Sequence, residues 1–337
     1  MCIRDRDEGE TKLAQPDYAY ESSQDSILRP YYQRWIWNPL LEVIPASWSP
    51  NSLTLLSTLC CALSFLLALF LNESTFAMLM AAVLVFAYVS LDNMDGAHAR
   101  RTEQSSPLGE FLDHWLDTLN NGFVVLGACA AVGLGPLLTL LVFAAGTLAF
   151  FGVQLELRYT GVFRMGRIAD IEGNTAVSGL YILVALFGHS LFLSEIFSGG
   201  PTIATLIGLG VMGQALMTLA TAAWRLKDHI SDFFPILLCM SLLIAWMIQG
   251  SFSAVGILSI AFFTNPVFTS RPILFRLLGH STAKADWIAI GAVALGSLFC
   301  TYVGGVAAGW AVILVMAGIT LSHALTTILG LTRNESS

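Results

Sequence analysis

Asp92 and Asp95 stand three residues apart, and Asp113 and Asp117 stand four apart, all within a turn or two of long apolar runs. On a helix, each spacing puts both carboxylates on one face. Small residues continue the same stripes: Gly96 and Ala99 after the first pair, and Gly109 four residues before Asp113. Two such faces opposed would gather four carboxylates around a cavity with little side-chain bulk. A single carboxylate at membrane depth costs roughly 3 kcal/mol, and several at close range repel one another strongly in low dielectric. A divalent cation resolves that repulsion, and hard oxygen donors suit magnesium, manganese or calcium. The small residues leave room for a flat or phosphorylated group against the backbone, and Arg100 and Arg101 can hold phosphate charge. Solvated carboxylates at a helix end would explain one aspartate, but not four at these spacings with glycine on the same faces.

Those residues need long helices to hold them, and the composition supplies little else. Of 337 residues, 55% are hydrophobic and only 12% charged, about half the usual charged share of a soluble domain. Residues 1–25 hold 10 of the 39 charged side chains, so the remainder is poorer still. This excludes a soluble globular enzyme and a disordered chain, and the net charge of -7 argues against a nucleic-acid partner. The apolar material comes in runs of about 20 residues, the length that crosses a bilayer core of roughly 30 Å. The expected fold is an all-α polytopic membrane protein. Its spans lie near 52–72, 75–95, 109–134, 136–158, 175–197, 202–224, 232–249, 252–268, 286–303 and 306–330, with Asn265 and Pro266 interrupting the eighth. Lysine and arginine all fall on one side of this scheme, including Arg158, Arg164, Arg167, Arg225, Lys227, Arg271, Arg276, Lys284 and Arg333. The positive-inside rule then puts both termini and the even-numbered loops in the cytosol.

Residues 1–25 read as a disordered polar tail, 26–48 as an amphipathic helix at the interface, 49–331 as the membrane domain and 332–337 as a second tail. Tyr31, Tyr32, Trp35 and Trp37 suit the headgroup zone. Ser106-Pro107 is a good cap and first-turn pair for the third span. Cys60, Cys61, Cys129, Cys239 and Cys300 sit in apolar runs without zinc spacing and read as small buried hydrophobes.

The string Asp92-Asn-Met-Asp95-Gly96-Ala-His-Ala99-Arg100, eight residues, Gly109, three residues, Asp113, three residues, Asp117 resembles the signature of the CDP-alcohol phosphotransferases. All eight signature residues are present. The filling residues, with Arg101, Ser105-Ser106-Pro107 and His114, resemble the choline/ethanolamine phosphotransferase branch, which has ten spans. The likeness reaches back to Pro50-Asn51 and fades by about residue 180.

The resemblance implies a reaction. A CDP-choline or CDP-ethanolamine gives its phosphoalcohol head to the hydroxyl of diacylglycerol, and CMP leaves. It implies Asp92, Asp95, Asp113 and Asp117 as ligands of Mg2+ or Mn2+, two ions in all. It also implies Gly96, Ala99 and Gly109 along the nucleotide site, with Arg100 on phosphate. Asn51 either caps the first span or reaches the diphosphate. His114 is implicated as the base for the acceptor hydroxyl, Asp117 being counted with the catalytic groups, and Glu156 is the second carboxylate in line. Asp170-Ile-Glu172-Gly173 is expected as a cytosolic loop near the site. The membrane is the endoplasmic reticulum or Golgi in a eukaryote and the inner membrane in a bacterium, with membrane lipid as partner and a homodimer as the expected assembly. His98 is expected to face away from the metals. His189, His280 and His323 read as packing residues, and Asp228, His229 and Asp232 as a solvated loop. Two other readings stand beside this one. One is a CDP-diacylglycerol-dependent enzyme acting on a soluble alcohol, whose relatives are shorter. The other is a transporter, against which the acids cluster at one end and no internal repeat is visible.

Overall fold

The computed structural model describes residues 26–164, 170–278 and 283–335. The expected tail over 1–25, Arg167 and His280 lie outside the described residues, as do the side chains of Lys284 and Arg333. The described chain is helical, with one antiparallel bridge between Glu195 and Thr202 and no strand. Ten long helices follow one another: α1 (Pro50–Phe70), α2 (Thr75–Arg101), α3 (Pro107–Ala131), α4 (Pro136–Thr160), α5 (Asp170–Phe187), α6 (Ile203–Arg225), α7 (Phe234–Gln249), α8 (Ala254–Leu278), α9 (Ala283–Tyr302) and α10 (Ala307–Glu335). The protein is a multi-pass membrane protein. Six helices are long and apolar enough to cross a bilayer: α1, α2, α4, α6, the stretch Lys227–Gln249 that contains α7, and α10. On that measure the expected number of about ten is not reached. Of the others, α3 carries Asp113 and Asp117, α5 carries Asp170 and Glu172, α8 carries Asn265, Arg271 and Arg276, and α9 is apolar over Asp286–Tyr302.

Local chemistry sets the helix ends. Ser74 Oγ accepts from Ala77 N, Ser106 Oγ from Gly109 N and Thr202 Oγ1 from Thr205 N, each a side-chain cap on otherwise orphan donors. Proline opens α1, α3 and α4, where its missing N–H removes no bond. Gly161 ends α4 at φ +70°, a left-handed conformation that a side chain would strain.

Four sequence expectations change. Helix α8 runs through Pro266 and Pro272 to Leu278 instead of stopping near 268. Helix α5 begins at Asp170, so Asp170 to Gly173 form its first turn and not a loop. The interfacial segment is helical over Arg29–Tyr32 and Asn38–Val43, with π geometry over Gln33–Trp37 between them. Helix α10 also extends through the stretch expected as a tail, to Glu335.

Two cores hold the bundle. One joins α1, α2, α3, α5 and α6 through small side chains: Ala68, Ala81, Ala82, Ala185 and Ala204. Ser64 Oγ donates to Ala81 O (2.8 Å) and Ser178 Oγ to Ala82 O (2.9 Å), cross-helix bonds that close approach permits. The other joins α4 to α7–α10 through Phe143, Phe233, Leu243, Trp246, Phe268 and Met316.

Candidate active site

The cytosol-facing side expected from the charge pattern is the end where α2 finishes and α3 starts. There Asp92, Asp113 and Asp117 come together. Each offers a carboxylate oxygen, and these oxygens lie within 4.8 Å of one another. Asp95 lies on the same wall but is otherwise engaged: Thr54 Oγ1 donates to its Oδ2 and Gly96 N to its Oδ1, both at 2.5 Å. Asp92 Oδ1 is buried with no hydrogen-bond partner. Hard oxygen donors at this range, one of them an orphan, fit a divalent cation.

These aspartates stand at one end of a cavity of about 1720 Å³. Its polar end is also lined by Asn51, Gly96, Ala99, Arg100, Gly109, His114 and Asp170. Each glycine keeps a surface low. A β-carbon on Gly109 would stand 3.1 Å from Asn51 Oδ1, and one on Gly96 would stand 3.5 Å from Arg100 Nη1. Below the acids the walls turn apolar. Val124, Val125 and Ala128 of α3 face Ala149 and Phe150 of α4, Val177 and Leu180 of α5, and Ile207 of α6. Leu183 and Val211 line the cavity and are yet 46% and 49% exposed, so the chamber opens sideways between α5 and α6.

The remaining sequence candidates divide. His114 is buried in the wall, its Nδ1 without a hydrogen-bond partner and its ring 5.6 Å from that of Phe163. Glu156 is not among the lining residues. It is fully buried and pairs with Arg225 Nε (2.8 Å) and Arg164 Nη1 (3.0 Å), tying α4 to α6 and to the segment after Gly161. Asn51 is the second residue of α1, with Ser49 as the cap, so it is free of the capping role and sits in the cavity wall. Arg101 turns away from the cavity, donating to the carbonyls of Leu41 and Ile44 and fastening the interfacial segment to α2. His98 faces away too: its Nε2 is 2.9 Å from Trp48 O. His189 bonds Ala131 O and His323 bonds Ser270 Oγ. Asp232 and His229 lie in a 3-10 helix, Lys227–Phe233, where Tyr159 donates to Asp232 Oδ2 (2.5 Å) and stacks on His229.

Asp170, expected near the site, lines the cavity from the first turn of α5, its Oδ1 accepting from Asn174 Nδ2 (2.6 Å). Asn121 continues the stripe of Gly109, Asp113 and Asp117 by another four residues, and that periodicity would have found it. Glu172 faces the interfacial segment, where Oε1 accepts from Ser26 Oγ (2.6 Å) and Leu28 N (3.1 Å).

Helix α8 sets the rotation of α3 from outside the cavity. Asn265 Nδ2 donates to Thr118 O (2.7 Å), beside Asp117, and Arg276 pairs with Glu110, three residues before Asp113. Phe262 lies where a β-carbon on Gly122 would go, 2.6 Å away. The three contacts run antiparallel and bracket Asp113 and Asp117.

With this geometry in view, comparison with known proteins gives one family. Residues 47–211 match the family model described as CDP-alcohol phosphatidyltransferase. Among curated relatives, cholinephosphotransferase 1 of Xenopus laevis is 34% identical over 205 residues, 58% of this chain and 51% of the relative. Cholinephosphotransferase 1 of Gallus gallus is 34% identical over 186 residues, 52% and 54% of the two chains. That of Danio rerio is 29% identical over 208 residues, 59% and 54%. The match thus spans about half the length of these relatives.

Proposed function

We propose that this chain, whose residues 47–211 match the family model described as CDP-alcohol phosphatidyltransferase, transfers the phosphoalcohol group of CDP-choline or CDP-ethanolamine to the hydroxyl of diacylglycerol and releases CMP. The observation that carries this reading is the joining of a three-aspartate oxygen cluster to an apolar chamber with a lateral opening. A soluble nucleotide reaches the polar end from water. A neutral lipid reaches the same point from the bilayer, without carrying charge through it.

Asp92, Asp113 and Asp117, with Asp95 alongside, would hold two magnesium or manganese ions. Ions held there would supply positive charge against the charge that develops on phosphorus and on the departing CMP. The chain's own residues do the rest. Gly96, Ala99 and Gly109 let the nucleotide lie against backbone. Arg100 and Asn51 hold phosphate oxygens. His114, with an unpartnered ring nitrogen in the wall, accepts the proton of the diacylglycerol hydroxyl as its oxygen bonds to phosphorus and the bond to the CMP oxygen breaks. Phe163 and the apolar chamber keep competing water from that oxygen. The base is His114, and Glu156 serves to hold α4, α6 and the segment of Arg164 together.

Purified protein supplied with CDP-choline or CDP-ethanolamine and diacylglycerol is expected to form phosphatidylcholine or phosphatidylethanolamine. Product from CDP-diacylglycerol with glycerol phosphate or inositol, and none from the CDP-alcohols, would refute the reading. The site is expected to face the cytosol. A single cysteine at Ser105 should react with an impermeant reagent only from that side, and labelling from the opposite side would overturn the orientation.

A further inference from the structure

Along the face of α3 that lines the cavity, Asn121 is the last polar residue. Gly109, Asp113 and Asp117 precede it at four-residue steps, and Val124, Val125, Ala128 and Val132 follow. Its Nδ2 is buried and has no hydrogen-bond partner. A buried amide donor left unmade costs roughly 1–3 kcal/mol, and buried side-chain donors nearly always find an acceptor. The α4 and α5 walls, Gly146, Ala149, Phe150, Val177 and Leu180, carry no polar side chain, and although Tyr88 of α2 and Gln214 and Thr218 of α6 also line the cavity, none of them accepts from Asn121 Nδ2. A ligand that brings its own acceptor to the border between acids and chamber would satisfy the donor.

The geometry points to an ester carbonyl of the acceptor lipid as that group: we propose that Asn121 binds the glycerol-ester region of diacylglycerol and makes the enzyme select ester-linked acceptors. Four residues of helix rise about 6 Å. A lipid whose free hydroxyl sits at Asp113 and Asp117, with its chains in the apolar chamber, must place its ester groups about one turn deeper, at Asn121. The donor molecule, polar throughout, has no reason to reach that depth. This inference rests on the acceptor being a diacylglycerol, as proposed above.

The test compares a diacylglycerol with a dialkylglycerol of the same chain length, whose ether oxygens replace the ester carbonyls. With the wild-type protein, kcat/KM is expected to favour the diester by roughly 10-fold, the worth of one hydrogen bond. Asn121→Leu, similar in volume, should lose about that factor with the diester, bring the two lipids level, and leave the KM for the CDP-alcohol unchanged. Asn121→Gln keeps an amide and should keep a preference for the diester. Equal use of both lipids by the wild-type protein overturns the proposal, even if no variant folds. So does a diester preference that survives in Asn121→Leu, or an Asn121→Leu effect on the CDP-alcohol KM alone. A wild-type protein that uses neither lipid refutes the parent reading instead.

Discussion

On one side of the cavity, helices α1, α2, α3, α5 and α6 share a core rich in alanine; α4, which forms a cavity wall on its other face, meets α7–α10 through leucine, phenylalanine and tryptophan. The first group is small enough to bring backbones close, and the serine hydroxyls then donate across to carbonyls of the next helix. It leaves a large void, lined at one end by acids. The second group fills its space: Trp246, Leu243, Ile257, Ile260 and Val293 have no accessible surface. Its polar residues face one another, as in Arg271 with Asp286 and Ser270 with His323, or reach back to α3, as Asn265 and Arg276 do. A membrane protein thus keeps a hole open in one half by packing the other half tightly against the helix that carries the chemistry.

Breaking the cavity half should abolish chemistry without loss of fold. Asp92→Asn, Asp113→Asn or Asp117→Asn should each lower turnover by roughly 10³-fold or more, several kcal/mol of lost charge stabilisation, while the protein still inserts and purifies. Phospholipid formation by the purified variants checks this. His114→Ala should slow transfer by roughly 10² to 10⁴-fold with CDP-alcohol binding retained, measured by isothermal titration alongside turnover. Near wild-type turnover would move the base to another residue.

Breaking the other half should do the reverse. Trp246→Ala, in the core behind the cavity, should lower unfolding stability by about 3–5 kcal/mol while the folded fraction keeps its KM for both substrates. Thermal unfolding in detergent, read beside activity per folded molecule, makes that separation. Glu156→Gln should behave like this core variant and unlike His114→Ala. It removes the carboxylate that Arg164 and Arg225 share, and because both guanidiniums are partly exposed the loss is about 1–2 kcal/mol. The smallest effect is expected at the lateral opening, where Val211→Trp should raise the apparent KM for diacylglycerol by roughly 10-fold and leave that for the CDP-alcohol alone. A rise in the donor's KM instead would place the lipid path elsewhere.

Much of the cavity half was legible in the sequence. Spacings of three and four fix which residues share a helix face whatever the helix packs against, so Asp92 could be paired with Asp95 and Asp113 with Asp117 without knowing the fold, while the engagement of Asp95 by Thr54 and Gly96 could not be seen. Caps such as Ser106-Pro107 are equally local. What escaped depends on rotation about each helix axis, which an all-round apolar composition does not specify. Glu156 looked available because Arg225 is far away in the chain and the α4–α6 contact is invisible in hydropathy. Asn265-Pro266 read as a break, yet Asn265 donates to Thr118 O and Thr269 Oγ1 donates to Asn265 Oδ1, so its polarity is satisfied inside a continuous helix. Arg101 looked like a phosphate ligand beside Arg100, but adjacent residues on a helix point about 100° apart, and only Arg100 lines the cavity.

On the proposed function, the aspartate cluster works as a divalent-metal site for phosphoalcohol transfer. The most direct measurement strips the purified protein with EDTA, supplies CDP-alcohol and diacylglycerol, and titrates Mg2+ back while phospholipid is counted. Expected are no product in EDTA, saturable recovery with Mg2+ or Mn2+, and no recovery in Asp117→Asn at any metal concentration the wild-type protein requires. Full phospholipid synthesis in EDTA, or an Asp117→Asn protein with the wild-type metal response, would contradict it.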